Sequence, residues 1–370
     1  MTLLSGLDAL FVSDSVNIRY CTGFHGASPG EREAFLLILA DKAFLFVNSL
    51  YAERAKDRQW LHGYMVLWLK DRTTFQTRTF SREVPFTTLL RKLCVHESIK
   101  RLGYEEANLT VAEFGKLKKS LSDLHLVPTN NRVESLRMIK RDDELALIRR
   151  AAKLTDRCFD ALLGRLKPGV TETELTWEIE SFFRKAGASS AFSPIVAFGR
   201  NTSQPHYQGT RDKGQVSRLK KNDIALLDFG ALVGGYCADM TRVVFIGKPG
   251  SEWKRAYQTV RTAQMQALEY LNSIPNPSGA QADRIARKVI RNEGFSPYPH
   301  SLGHAVGLEI HEAPRLTRKK DVMLKPNMVV TVEPGIYIGG SYGIRIEDLV
   351  CLKKQGIDVL SHSSKTITIL

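Results

Sequence analysis

The sequence predicts an α+β protein of two domains, a smaller α/β domain followed by a larger one in which a helix pair and a β-hairpin occur twice. Three observations carry that reading. Apolar runs of strand length alternate with a helical stretch in the first third of the chain. Turn residues interrupt this pattern near residues 126–133. Beyond the break, helix, helix, hairpin is followed by helix, helix, hairpin, without a letter-by-letter repeat. With 370 residues, 43% of them hydrophobic and 25% charged, the chain is long enough for about two ordinary domains and has a globular balance.

The N-terminal domain opens on "LDALFVSD" as a strand, continues with the apolar runs "AFLLILA" and "AFLFVN", and then turns helical at "YAERAKDRQWL". At "HLVPTNNRVESLR", Pro128 with Asn130 and Asn131 is turn chemistry, so the domains are set at 1–128 and 133–370. The long stretch "IKRDDELALIRRAAKLTDRCFDALL" keeps apolar residues at helical spacing. Pro168-Gly169 ends it, and Thr171 with Glu174 forms a capping box that starts the next helix. "DIALLDFGALVGGYCADMTRVVFIG" reads as a hairpin turning near Gly234-Gly235. Two helical stretches follow, "SEWKRAYQTVRTAQMQALEYL" and "QADRIARKVIRNEG". "MVVTVEPGIYIGGSYGIRIEDLV" is then a second strand pair, broken at Pro334 and at Gly339-Gly340.

Composition removes several classes of function. No basic n-region precedes the short apolar start, and no apolar run approaches the roughly 18 residues of a membrane span. The five cysteines (Cys21, Cys94, Cys158, Cys237, Cys351) are odd in number, scattered and free of any C-x-x-C pair, which suits free thiols in a reducing cytoplasm. The net charge is +14, most of it beyond residue 130. The densest basic clusters, "KLKKS" and "RLKK", carry no interleaved aromatics, which argues against nucleic acid as the partner.

The chemistry-bearing residues lie in the second domain. "PHSLGHAVGLEIHEAP" places His300, His304 and His311 within twelve residues, and Gly303 and Gly307 make a regular helix there a poor choice. There is no His-Glu-x-x-His helix. Four acids stand in strand contexts: Asp228 in "IALLDF", Asp239 in the other arm of its hairpin, Glu333 after "VVTV" and Glu347 in "GIRIED". An unpaired carboxylate buried in such surroundings costs several kcal/mol, roughly, or takes up a proton. Any one of the four could be an exposed position on an amphipathic strand. Four together with a histidine cluster point to two divalent cations, whose charge offsets that of four carboxylates while an imidazole completes the set.

With these residues in place the sequence resembles the pita-bread metallopeptidases, in particular the proline-specific branch of Xaa-Pro dipeptidase (prolidase) and aminopeptidase P. "LLDFGALVGGYCADMTR", "PHSLGHAVGLEIHEAP", "TVEPGIY" and "GIRIED" stand in that family's order, and "VNIRYCTGF" and "LFVNSLYAERA" are similar to its creatinase-like N-terminal domain. The resemblance implies a C-terminal pita-bread catalytic domain and hydrolysis of the bond preceding proline by a hydroxide shared between two metals. Mn²⁺ is the first choice, with Co²⁺, Zn²⁺ or Fe²⁺ as alternatives.

In that scheme Asp228 binds one metal, Asp239 and Glu347 bridge the two, and His304 and Glu333 bind the second, Glu333 also handling the water's proton. His206 and His311 would donate hydrogen bonds to the reacting carbonyl. His300, Arg315 and Arg345 would meet substrate, although Arg345 could equally serve as partner to a ligand carboxylate. Arg315 is the candidate reader of a free proline carboxylate, which favours Xaa-Pro dipeptides over the longer substrates of an aminopeptidase P. A homodimer is likewise implied by the resemblance. A non-catalytic binding module and a metal-free, creatinase-like hydrolase are disfavoured because all five ligands are present. Three departures concern loop shape and substrate fit: Ala305 stands where the family usually has glycine, Asn222 replaces a glycine before the first ligand strand, and "QGTRDKGQVSRLKKND" between His206 and Asp228 is a few residues longer than usual.

Overall fold

The computed structural model describes residues 3–26, 31–56, 74–209 and 216–370. It divides into two units, Met1–Arg137 and Met138–Leu370. No helix among the described residues is long and apolar enough to cross a membrane.

The first unit contains β1 (Ala9–Val12), α1 (Ser15–Thr22), β2 (Ala34–Ile38), β3 (Lys42–Asn48), α2 (Ala52–Lys56), β4 (Thr74–Phe80), α3 (Phe86–His96), β5 (Arg101–Glu105), α4 (Val111–Ser120), β6 (His125–Thr129) and α5 (Arg132–Arg137). Six strands form one sheet in the order β4-β3-β2-β1-β5-β6. Helix ends follow local chemistry: the Asp14 carboxylate accepts from the Val16 and Asn17 amides to start α1, and Gly23 ends it with φ 89°. The core is apolar and partly aromatic, with Phe11, Leu37, Phe44, Phe46 and Leu102 buried and Phe35 stacked on Phe86 at 4.1 Å.

Of the helix expected at "YAERAKDRQWL", Ala52–Lys56 form α2, Tyr51 ends the turn before it, and residues 57–61 lie outside those described. "HLVPT", expected as turn, is instead the strand β6. Because β6 is the last strand of its sheet, Pro128 removes an N–H that an edge strand can spare, so proline here does not break the strand. The positive-φ residue of this connection is Asn131, at 52°.

The second unit contains α6 (Asp142–Leu163), α7 (Glu172–Lys185), β7 (Ser189–Ser190), β8 (Ile195–Phe198), β9 (Asp223–Phe229), β10 (Ala231–Val233), β11 (Tyr236–Cys237) and β12 (Met240–Ile246). It continues with α8 (Ser251–Ser273), α9 (Gly279–Asn292), β13 (Gly303–Ala305), β14 (Glu312–Leu316), β15 (Val329–Val332), β16 (Gly335–Ile338), β17 (Tyr342–Arg345), β18 (Asp348–Leu352), β19 (Ile357–Val359) and β20 (Thr368–Ile369). The Thr171–Glu174 capping box forms in both directions. β9 and β12 pair antiparallel along seven residues, and the hairpin turns at Gly234-Gly235, whose φ values of 58° and 90° a side chain would strain. Asn222, at φ 56°, takes a left-handed position that asparagine tolerates among side-chain-bearing residues.

Alternation along β9 sorts its side chains into two cores. Ala225, Leu227 and Phe229 pack with Ile148, Phe159 and Phe183 of α6 and α7, whereas Ile224 and Leu226 pack with Val260, Ala263 and Ile290 of α8 and α9. Helices therefore cover the strands on both sides, as a pita-bread architecture requires. Asp228 stands one residue before the end of β9, Asp239 just before β12, Glu333 just after β15, and Glu347 between β17 and β18.

Candidate metal centre

Each hairpin of the second unit delivers two acids. In the first, Asp228 stands directly opposite Thr241 in the β9–β12 pairing, and Asp239 just precedes β12. In the second, Val332 faces Asp348 and Gly335 faces Arg345. Continuing that register sets Glu333 opposite Glu347, so their side chains emerge on one face. His304 comes from β13. Its backbone N–H donates to Thr331 Oγ1 at 3.1 Å, and the same hydroxyl donates to Glu333 Oε1 at 3.1 Å.

Ligand atoms of Asp239, His304 and Glu347, all buried, lie within 4.8 Å of one another. His304 Nε2 is 3.6 Å from Asp239 Oδ2 and 3.4 Å from Glu333 Oε1. Asp228 is engaged differently. Its Oδ2 accepts from Arg345 Nη2 at 2.5 Å, while Oδ1 is buried with no hydrogen-bond partner, and the same holds for Asp239 Oδ1.

The electrostatics of this cluster demand positive charge. Burial, then the neighbouring carboxylates Glu347, Asp228 and Glu333, hold the Asp239 carboxyl well above the usual range. Burial and then Glu333 and Asp228 do the same to Glu347, and burial raises Glu333 to about 8. His304 is pushed down to about 3, first by burial, and is neutral at ordinary pH. Its Nδ1 lies 3.1 Å from the Ala305 carbonyl, which requires a proton on that nitrogen and leaves the Nε2 lone pair facing the acids. Two orphaned carboxylate oxygens, mutually repelling acids and one aimed imidazole lone pair form a donor set that suits divalent cations.

A hydrogen-bonded frame surrounds the donors. Arg345, 3% exposed, donates through Nε to Thr241 Oγ1 (3.0 Å) and through Nη1 to Tyr337 Oη (2.8 Å) and the Pro205 carbonyl (3.1 Å). Thr241 Oγ1 in turn donates to Glu347 Oε2 at 2.6 Å. Tyr337, a phenol raised to about 12 by burial, donates to His300 Nε2 at 3.0 Å, and His300 Nδ1 donates to the Ser301 carbonyl at 2.8 Å. Arg287 of α9, paired with Asp283, secures this loop by donating to the Tyr298 and His300 carbonyls at 2.7 and 2.6 Å.

The structure thus brings Asp239, His304, Glu333 and Glu347 together with Asp228 beside them, and it turns Arg345 towards Asp228. His206 and His311 reach the same region from loops: both are exposed, a charge on His206 would disfavour charge on His300 and His311, and the His311 ring lies 4.5 Å from that of His304. Arg315 is exposed and stands directly opposite His304 in the β13–β14 pairing. Sequence reasoning passed over Thr241, Thr331 and Tyr337. A signal was available, since each lies two or four residues from one of the clustered acids and so shares its strand face. Arg287 and Asp283 gave none, because they act through the backbone of a distant loop.

Residues 146–354 match metallopeptidase family M24, and residues 4–139 match the creatinase/prolidase N-terminal domain. The chain is 35% identical to the uncharacterized peptidase YqhT of Bacillus subtilis, over 99% of this chain and 96% of the relative. Among solved structures it is similar to an Xaa-Pro dipeptidase from Bacillus anthracis (34% identity, TM-score 0.86, covering 99% of this chain and 96% of that one). It is also similar to an X-Pro aminopeptidase from Thermotoga maritima (31% identity, TM-score 0.83, covering 99% and 98%).

Proposed function

The chain belongs to metallopeptidase family M24, with a creatinase/prolidase domain preceding the catalytic one, and from that premise we propose that it hydrolyses the peptide bond before proline in Xaa-Pro dipeptides. The observation that carries this reading is the convergence of three carboxylates, Asp239, Glu333 and Glu347, on His304, with Asp228 beside them held by Arg345. Asp228, Asp239, His304, Glu333 and Glu347 would hold two divalent cations, with Mn²⁺ our first assignment and Co²⁺, Zn²⁺ or Fe²⁺ suited to the same donors. Such ions, when bound, polarise a carbonyl and lower the pKa of a coordinated water towards about 7.

The protein groups divide the remaining work. Glu333 takes the proton of the attacking water and returns it to the proline nitrogen as the C–N bond breaks. His311 and His206 donate N–H groups to the substrate oxygen as it gains negative charge. His311 is suited to donating as a neutral group, since burial and then Arg315 lower its pKa. His300 has both ring nitrogens engaged by Tyr337 and Ser301, so it shapes the pocket wall through its ring. Arg345 organises Asp228 and, through Thr241, Glu347.

Substrate length turns on Arg315. Residues directly opposite in an antiparallel pair share a face, so its position across from His304 supports a cation placed to read a carboxylate just past the scissile bond. A dipeptide has that carboxylate directly after proline, and a longer peptide does not. With Mn²⁺ present, Ala-Pro is expected to be cut faster than Ala-Pro-Ala, and Arg315→Ala is expected to raise KM for the dipeptide alone. A clear preference for the tripeptide would make the protein an aminopeptidase P, a reading that the likeness to the Thermotoga maritima structure also supports. None of the five cysteines is in a disulfide, which supports a reducing, cytoplasmic setting; a homodimer is carried over from the resemblance.

A further inference from the structure

The hairpin that presents Glu333 and Glu347 has a defect in its own hydrogen bonding. Val332 faces Asp348 on one side of the glutamates and Gly335 faces Arg345 on the other. This is one unbroken register, in which Glu333 stands opposite Glu347 and Pro334 opposite Ile346. The Ile346 N–H donates to the Pro334 carbonyl at 3.5 Å. The reciprocal bond cannot form, because proline has no N–H. The Ile346 carbonyl is therefore denied its cross-strand donor at the point where two like charges stand opposite each other, an arrangement that drives strands apart.

Gln264, on α8, supplies what is missing. Its side chain is buried, and its Nε2 donates both to the Ile346 carbonyl at 3.2 Å and to the Val332 carbonyl at 3.1 Å. Those two carbonyls belong to the residues immediately before Glu347 and Glu333. The helix is fixed independently, by Val260, Ala263, Ala267 and Leu271 in the apolar core. A buried amide among such neighbours is costly unless its hydrogens find acceptors, and these two carbonyls are the acceptors.

We propose that Gln264 is a positioning residue of the metal centre. One amide group ties together the peptide units leading into Glu333 and Glu347, holds them against the repulsion of their side chains, and sets the separation of the donors that receive a cation. This rests on Glu333 and Glu347 being metal ligands.

Gln264→Met keeps the length and bulk of the side chain and removes both donors. The readouts are Mn²⁺ and Co²⁺ affinity of chelator-stripped protein by titration calorimetry, the absorption spectrum of the Co²⁺-loaded protein, and the thermal midpoint of the metal-free form. Affinity is expected to fall by roughly 10–100-fold, as for other groups that orient ligands. The Co²⁺ bands should change, and the metal-free midpoint should fall by no more than the loss of two buried hydrogen bonds accounts for. Pro334→Ala in the same background restores an N–H opposite Ile346 and should recover much of the lost affinity. A wild-type affinity and spectrum in Gln264→Met would overturn the proposal, as would a loss that Pro334→Ala leaves unrepaired. If Gln264→Met does not fold, Gln264→Asn, too short to reach both carbonyls, carries the same expectations. Wild-type protein that binds no metal would remove the ligand assignment itself and this proposal with it, whereas wild-type protein that binds metal no more tightly than Gln264→Met would remove the positioning role alone.

Discussion

Asp239 is the residue at which charge matters most. Its buried carboxylate has one oxygen facing His304 Nε2 and the other with no hydrogen-bond partner, so a cation is what its environment lacks. Asp239→Asn keeps the shape and removes the charge; hydrolysis should vanish and one metal equivalent should be lost, measured by turnover and by metal analysis of the same sample. His311→Ala should act differently. Removing a donor proposed for the reacting oxygen is expected to cost roughly 10²–10³ in kcat with metal content unchanged, and His206→Ala should follow it. Loss of metal from either variant would make that histidine a ligand. The acids and histidines were legible in the sequence because charge inside an apolar strand is conspicuous. Thr241, Thr331 and Tyr337 were not, because hydroxyls are ordinary in strands and only the face they share with an acid marks them. Arg345 was legible as important but not as to which group it serves; its contact with Asp228 crosses from one hairpin to the other.

At the scale of the element, backbone contact positions the proposed ligands. A Cβ on Gly303 would lie 1.9 Å from the Thr331 carbonyl oxygen, so β13 approaches β15 as closely as it does only because this residue has no side chain. His304 is the next residue, and its N–H is held by Thr331 Oγ1. Gly303→Ala should push β13 outward, lower stability by about 1–3 kcal/mol and weaken metal binding. Gly164→Ala, at a helix end with no atom near the added carbon, should change neither. Denaturant unfolding and metal titration of the two variants check this, and equal behaviour would show that β13 tolerates displacement. The hairpins could be read from alternation and from their Gly-Gly turns, as could the capping box of α7, since these are local signals. The order β4-β3-β2-β1-β5-β6 and the pairing of β13 with both β14 and β15 could not be, because strand neighbours distant in sequence leave no trace in local periodicity. Pro128 misled for a related reason: proline is tolerated or not according to whether its strand lies at an edge, and that is a property of the sheet.

For the whole molecule, the buried acid cluster couples folding to pH. Without metal, burial and mutual repulsion hold Asp239 and Glu347 well above the ordinary carboxylate range and Glu333 at about 8. A group whose pKa is higher in the folded chain than in the unfolded one favours folding while both forms are protonated, below about 4.5 for Glu333. That contribution is lost as pH rises through the folded value, where the unfolded chain releases its proton freely and the folded one must bury a charge. Metal-free protein should therefore lose stability between about pH 5 and 8. A bound cation reverses the sign, because it favours the carboxylate form and competes with protons for the same oxygens. Its contribution grows with pH and, at a thousandfold excess over Kd, reaches about 4 kcal/mol. Thermal midpoints measured from pH 5 to 8 with EDTA or with excess Mn²⁺ should consequently diverge, the EDTA curve falling and the Mn²⁺ curve holding or rising. Parallel curves would mean that these carboxylates do not receive the cation. Divergence that disappears in Asp239→Asn would locate the coupling at this cluster and at no other acid of the chain.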